Sequence, residues 1–294
     1  MDIKSRGSAL ISALLIMALI TILVTAMVGR VRMDLAQTQR GLEYEQMRLS
    51  APAVTFWAMK VLQDQNHIWI SQLPDGRIAS FPKKLQKPQR GVTLTGEIYD
   101  LQANFNLNNL LDNTYQALFY ELINNVIGDQ THAASILLAT SEWIRPGLKH
   151  VSAETIIHGP MQDVSEFRLV PGVDATDYNA LIPWITVLPA ITPINLNTAQ
   201  LPVLRALAGG LSLKEAKEIQ AVRGTTGIKN IMMINELLSR LHIPAEKVDI
   251  KSNFFLVVGH SSGATLVRTT HTILQRYTNP VGQSVVRQLM VADV

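Results

Sequence analysis

Residues 8–29 read SALISALLIMALITILVTAMVG, without a charged side chain among them. As a helix this run is roughly 33 Å long, enough to cross a hydrocarbon core of about 30 Å. Its polar members, Ser8, Ser12, Thr21 and Thr25, are small hydroxyl residues that can bond back to the helix and so sit in lipid at little cost. A cleaved secretory signal has an apolar stretch of only about 7–15 residues before a small-x-small site, and a soluble core helix is rarely apolar on every face. The run therefore reads as a membrane-spanning helix, and the rest of the chain as what that helix carries. Lys4 and Arg6 precede it and favour a cytoplasmic N-terminus; Arg30 and Arg32 beyond it weaken the asymmetry.

The 294 residues are 47% hydrophobic and 17% charged, with 26 Lys+Arg against 23 Asp+Glu (net +3) and no Cys. This excludes a disulfide scaffold, a Cys-ligated metal site, a thiol nucleophile and a largely disordered chain. The seven His, at 67, 132, 150, 158, 242, 260 and 271, form no HExxH or i,i+4 pair, and there is no Gly-x-Ser-x-Gly or phosphate loop. The chain reads as a non-enzyme.

Past the apolar run the helical pattern continues. Val31, Leu35, Leu42 and Leu49 fall four and seven apart, a stripe suited to packing on a partner helix. Pro52 should kink this helix or open a second one, with Ser50 or Ala51 as cap, and the pattern stops before Asn66. Residues 73–91 read as a loop. Strict alternation in 92–101 (VTLTGEIYDL) marks a strand, and the same grammar returns in 254–260, 265–277 and 284–291, separated by turns at 261–263 and 279–282. Between these strand regions, 105–250 looks helical throughout. It holds an internal echo: FNLNNL at 105–110 and INLNTA at 194–199 each place Asn-Leu-Asn before an apolar-periodic helix, where Asn can cap the first turn. After the second copy, 201–224 and 228–241 read helix, Gly-Gly turn, helix, Gly turn, helix. The expected fold is α+β: a membrane helix, then a small antiparallel sheet interrupted by an all-α insert of helix-hairpin-helix or SAM-like character. The expected boundaries are 1–7, 8–29, 30–104, 105–250 and 251–294.

Gly7 abutting the apolar run, behind a few basic residues, resembles the leader of type IV pilins and pseudopilins. That resemblance implies cleavage between Gly7 and Ser8 by a membrane-embedded prepilin peptidase, and N-methylation of the new Ser8 amine. Loss of Asp2, Lys4 and Arg6 then removes two bases and one acid, taking the charge from +3 to +2. Most relatives carry Glu at the fifth mature position, a carboxylate costing perhaps 2.5–3.5 kcal/mol in the bilayer; here it is Ser12. Ser12, Trp143, EFRLVPG at 166–172 and PINLNTA at 193–199, in this order, resemble the K-type minor pseudopilin (GspK) of type II secretion over nearly the whole chain. The resemblance implies a structural subunit that caps the pseudopilus tip and starts its assembly. It implies an inner-membrane anchor and a periplasmic C-terminal part. The implied partners are the minor pseudopilins of I, J and H types, the major pseudopilin and the prepilin peptidase, with secreted cargo or the outer-membrane secretin as further contacts.

Two stretches of the sequence invite other chemistries. The hairpin at 208–212 suggests a membrane-anchored DNA-binding or uptake protein, but 195–241 holds six Lys/Arg against three Glu without interleaved aromatics, a poor phosphate-binding surface. A scaffold role is favoured, without nucleic acid. Relatives often carry an Asp-rich stretch after the Trp that can hold calcium; here Arg145 and Lys149 stand where hard oxygen ligands would be needed. Glu142, Asp163, Glu166 and Asp174 are the scattered acids that remain, and no metal ligand or other cofactor is assigned.

Overall fold

The computed structural model describes residues 3–64, 66–71, 73, 75–86, 91–145, 147–151 and 154–293, with side chains except those of 3–9, 147–151 and 154–158. Helix α1 (Ile3–Ser50) leads through the single residue Ala51 into α2 (Pro52–Leu62). Pro52 occupies the first turn, where its missing N–H costs nothing. Neither expected cap operates. Ala51 between them is itself helical (φ −52°, ψ −40°) and makes no side-chain cap, while the Ser50 hydroxyl donates back to the Gln46 carbonyl at 2.7 Å.

After α2 come β1 (Arg77–Ser80) and β2 (Thr93–Asp100). The stretch read as a loop thus contains a four-residue strand and a one-turn helix at Lys83–Leu85. The chain then leaves the sheet through β3 (Phe105–Asn106), α3 (Gln116–Ile127), α4 (Gln130–Ile144), β4 (Gly147–Val151), β5 (Glu154–His158), α5 (Ala175–Leu181) and β6 (Ile185–Thr186). A second series follows: β7 (Ile194–Asn195), α6 (Leu201–Ala206), α7 (Leu213–Arg223), α8 (Asn235–Arg240) and β8 (Val248–Asp249). The sheet resumes with β9 (Phe254–Ser262), β10 (Val267–Thr278) and β11 (Ser284–Asp293). Its order is β1-β2-β9-β10-β11, antiparallel throughout. Strands β2 and β9, on either side of the insertion, pair directly from Thr93↔Ser262 to Asp100↔Phe255. The insertion therefore leaves and returns at one end of the sheet.

Helix α2 lies across this sheet and buries Val54, Ala58 and Leu62 against Ile98, Phe255, Val257, Leu274 and Val286. The cross-strand pair Gly96↔Gly259 opens the slot for Val54: a Cβ on Gly96 would lie 2.4 Å from the Val54 side chain. The insert has a separate core spanning Phe105 to Ile250, with Phe105, Phe119 and Phe167 wholly buried.

The insert is helical in bulk but not throughout, as it also holds three two-stranded ladders. Two of them explain the sequence echo. β3 pairs in parallel with β6, and β7 with β8, so each Asn-Leu-Asn opens a repeat that its last strand closes. In each copy the first Asn accepts from the N–H of the second, Asn108 N to Asn106 at 3.1 Å and Asn197 N to Asn195 at 3.0 Å. The second Asn then pins two distant segments. Asn108 donates to the Met161 and Leu188 carbonyls and accepts from Met161 N, each at 2.9 Å. Asn197 donates to the Ile228 and Ile250 carbonyls at 3.0 Å and accepts from Ile228 N at 2.8 Å. The two patterns match bond for bond.

The Asn side chain thus satisfies buried backbone that a two-residue ladder cannot reach. Replacing Asn108 or Asn197 by Ala strands one N–H and two carbonyls, at about 1–3 kcal/mol each, so each variant should lose roughly 3 kcal/mol or more in denaturant unfolding. Ala208→Gly should act oppositely, because Ala208 holds a left-handed backbone (φ 54°) that disfavours a Cβ by about 1–2 kcal/mol. A wild-type midpoint for Asn197→Ala would refute the pinning role.

Candidate functional site

The helix rod is the feature that reaches furthest from the folded head. From Leu10 to Leu42 each α1 residue is exposed, and α1 with α2 is the one helix among the described residues long and apolar enough to span a membrane. The Thr21 and Thr25 hydroxyls donate to the Met17 and Thr21 carbonyls at 2.7 Å, which removes their demand for water. Gly7 and Ser8 lie on the helical backbone of α1, with side chains outside those described. Val31, Leu35, Leu42 and Leu49 are 47%, 57%, 61% and 72% exposed. At about 100° per residue, four- and seven-residue steps return to within roughly 40° of the same direction, so these four form one open apolar stripe. Met47, buried with 1% exposure, points about 160° from Leu49 by the same rule. The rod buries one side in the head and leaves the striped side free.

Where the rod meets the head, one acid fastens it. Glu43 accepts from Thr265 N at 2.7 Å and Leu266 N at 3.2 Å through Oε1, and from the Thr265 hydroxyl at 2.6 Å through Oε2. These bonds, led by that from the hydroxyl, hold the Glu43 carboxyl below its ordinary range. The β9–β10 turn can approach because position 263 is Gly; a Cβ there would lie 2.1 Å from Glu43 Oε1. Sequence reasoning missed this contact, since residues 222 positions apart leave no periodic trace.

At the opposite end of the sheet, Asp100 joins head to insert. It is buried and accepts from Gln102 N (2.8 Å), Asn195 Nδ2 (2.8 Å) and the Thr198 and Ser252 hydroxyls (both 2.6 Å). Burial pushes its carboxyl up, and the donated bonds pull it back. Gln102 adds a second link, donating to the Pro193 carbonyl at 3.1 Å and accepting from Asn253 N at 2.6 Å.

The acids weighed for calcium are largely engaged in capping. Asp163 and Glu166 form a reciprocal capping box, and Asp174 caps α5 with Asp177 returning the bond. Glu142 lies in α4. Arg145 donates to Asn113 Oδ1 at 2.6 Å, and the Lys149 side chain is outside those described. Among the described residues no three His, Asp or Glu side chains converge as a metal site. The hairpin weighed for DNA turns through Ala208, Gly209 and Gly210, all left-handed. A Cβ on Gly210 would stand 2.9 Å from the Glu121 carboxylate, so an acid occupies the approach a phosphate would need.

Comparison with known proteins fits this geometry. Two protein-family models, both described as type II secretion system (T2SS), protein K, match residues 103–190 and 194–251, dividing between the two Asn-Leu-Asn repeats. The chain is 29% identical over 270 residues to the type II secretion system protein K of Klebsiella pneumoniae, covering 79% of each chain. It is 25% identical over 262 residues to that of Pectobacterium carotovorum subsp. carotovorum, covering 79% of this chain and 80% of the relative. A chain in the crystal structure of the GspK-GspI-GspJ complex from the enterotoxigenic Escherichia coli type 2 secretion system shares the fold. Its TM-score is 0.69 at 19% identity, covering 88% of this chain and 99% of that one. A long apolar helix leading into an antiparallel head with a helical insert defines a pseudopilin, a structural subunit and not an enzyme. Within that class the chain belongs to the type II secretion system protein K (GspK) family.

The Glu43 contact is made by the ionised carboxylate, so it should persist at neutral pH and be lost as pH falls through the lowered Glu43 pKa, on the acid side of the ordinary carboxylate range. Spin labels on the free helix and on the sheet should give one narrow distance distribution at neutral pH, broadened by acid, by Glu43→Ala and by Gly263→Ala. An unchanged distribution in both variants would refute the clamp.

Proposed function

We propose that this chain is the minor pseudopilin that caps the tip of the type II secretion pseudopilus and starts its assembly, in the export of folded proteins across the outer membrane. The observation that carries this reading is Ser12 at the fifth position after Gly7. A subunit lower in the filament is drawn from the bilayer when its carboxylate at that place meets the amine of the subunit ahead; with Ser12 this chain needs nothing ahead of it. Cleavage between Gly7 and Ser8 leaves an amine at Ser8, N-methylated, to meet the Glu of the next subunit. The insert is a second support, because a body held rigidly to the head would clash if repeated along a tightly wound shaft. At the tip it meets solvent, cargo or the secretin.

The helix anchors the chain in the bacterial inner membrane with a single pass, and the head and insert are periplasmic. The open stripe Val31, Leu35, Leu42 and Leu49 packs against the helices of partner minor pseudopilins. Those partners are of the I and J types, which accompany GspK in the Escherichia coli complex, together with the H type and the major pseudopilin below. The division 1–7, 8–29, 30–104, 105–250 and 251–294 describes leader, anchor, head, insert and returning head strands.

Leu35→Glu or Leu42→Glu should block secretion while leaving the unfolding of the insert unchanged, because both side chains face away from either core. Gly7→Val should accumulate a precursor longer by the leader in mass spectra of the membrane fraction, since a protease that closes on a Gly backbone need not admit a branched side chain. Labelled chain at regular intervals along purified filaments, or normal secretion after its deletion, would defeat the tip reading.

A further inference from the structure

From Arg77 to Gly96 the sequence holds Arg77, Lys83, Lys84, Lys87 and Arg90 and no acid, a concentration of charge in a chain whose net is only +3. The start of this run is β1, an outer strand of the five-stranded sheet. β1 forms one wall of a groove of about 990 Å³, whose opposite wall is the insert loop 225–229. That loop is also free of acid and ends in Lys229.

The groove is built by the junction of sheet and insert. Gly227 lets the loop press on residues 68–70, where a Cβ would lie 2.7 Å from Ile68 and 3.0 Å from Ile70. Ser71 fixes the floor, with N donating to the Asn197 carbonyl at 3.3 Å and its hydroxyl to the Arg77 carbonyl at 3.2 Å. Arg77 lies 3.7 Å from Asp75 and 4.0 Å from Glu97, so its charge is shared within the wall. Lys83, Lys84 and Lys229 are exposed, and no acid pairs with them among the described residues. Two buried donors of the lining, Trp69 Nε1 and Arg77 Nε, lack acceptors. The groove therefore combines a strand edge, an apolar floor including Ile70 and Ile78, unused N–H groups and one unpaired cation in its lining, Lys229, while Lys83 and Lys84 follow in the chain just after the lining residue Ser80.

We propose that this groove docks an extended acidic segment of a partner polypeptide, which adds a strand outside β1 and sets its carboxylates against Lys83, Lys84 and Lys229. Backbone pairing along a sheet edge supplies sequence-independent affinity, while alternate side chains meeting floor and rim supply selection. The β11 edge differs: Asp293 is paired with Arg268, and the Arg287 guanidinium is engaged by the Gln275 amide and lies over the Tyr277 ring, beside exposed Leu289, Met290 and Val291.

The test uses the full chain in neutral detergent micelles and a fluorescent peptide of about eight residues alternating Glu and Val. Saturable anisotropy binding is expected. It should weaken roughly tenfold or more in the combined Lys83→Glu, Lys84→Glu and Lys229→Glu variant, whose melting should match wild type because all three side chains are exposed. Binding should also vanish when alternate backbone amides of the peptide are N-methylated. Absence of binding, equal binding of a Lys–Val peptide, full binding of the methylated peptide, or undiminished binding by the charge-reversed variant would each overturn the proposal.

Discussion

The Asp100 carboxylate is the constraint on which the arrangement of this molecule depends. It sits on the last residue of β2, and three of its donors come from Asn195, Thr198 and Ser252, 95, 98 and 152 positions further on. Closing a loop of that length costs roughly 4 kcal/mol of chain entropy, and burying an ionised group costs several more unless its hydrogen bonds are complete. Four donors complete them in one geometry only. An apolar contact of the same area would have allowed the insert to slide or tilt on the sheet; a fully bonded acid does not. Arg276 adds to the fixing, donating to the Ser252 carbonyl at 2.6 Å and stacking on Phe255 at 5.4 Å.

Rigid attachment at one end of the head gives meaning to the attachment at the other. The rod is held by buried Met47, Val54, Ala58 and Leu62, with Val54 seated in the slot opened by Gly96 and Gly259, and by Glu43, whose three bonds tie it to the β9–β10 turn. The two carboxylates differ in kind. Asp100 is sealed from solvent, and its bonds turn on complete satisfaction; Glu43 is accessible, and its bonds last while it remains ionised. Head and insert are therefore joined by buried hydrogen bonds, whereas the free helix is tied to the head by a surface contact.

Much of this was legible in the sequence where a single solvent or period governs many residues. The membrane run declares itself because lipid forbids charge over the whole length, and β2, β9, β10 and β11 because one buried face imposes strict alternation. The Asn-Leu-Asn echo was visible, but its chemistry was only half readable. Asn106 and Asn195 do cap turns, while the pins made by Asn108 and Asn197 reach carbonyls that no local pattern predicts. β3, β6, β7 and β8 are two residues each and too short to carry any period. β1 was hidden by its four residues and by the flanking turn and basic residues. Glu43 and Asp100 could not be found at all, because an acid that fixes a distant turn looks in sequence like any solvated charge.

The insert's paired repeats share one core although the ladder that closes each of them is only two residues long. A two-residue parallel ladder forms few hydrogen bonds and, with the chain entropy it must oppose, cannot hold a fold alone. The second Asn of each repeat supplies three further bonds to segments that would otherwise be open loops. The apolar residues of both repeats then merge into one cluster that runs from Phe105 through Phe167 to Ile250. Unfolding either repeat would expose part of the other's core, so the Asn pins and the shared core reinforce each other. This coupling carries through Asn195, which belongs to the second repeat by its bond to Asn197 and to the head by its bond to Asp100. The second repeat is thereby joined to the sheet through a chain of buried, hydrogen-bonded polar groups.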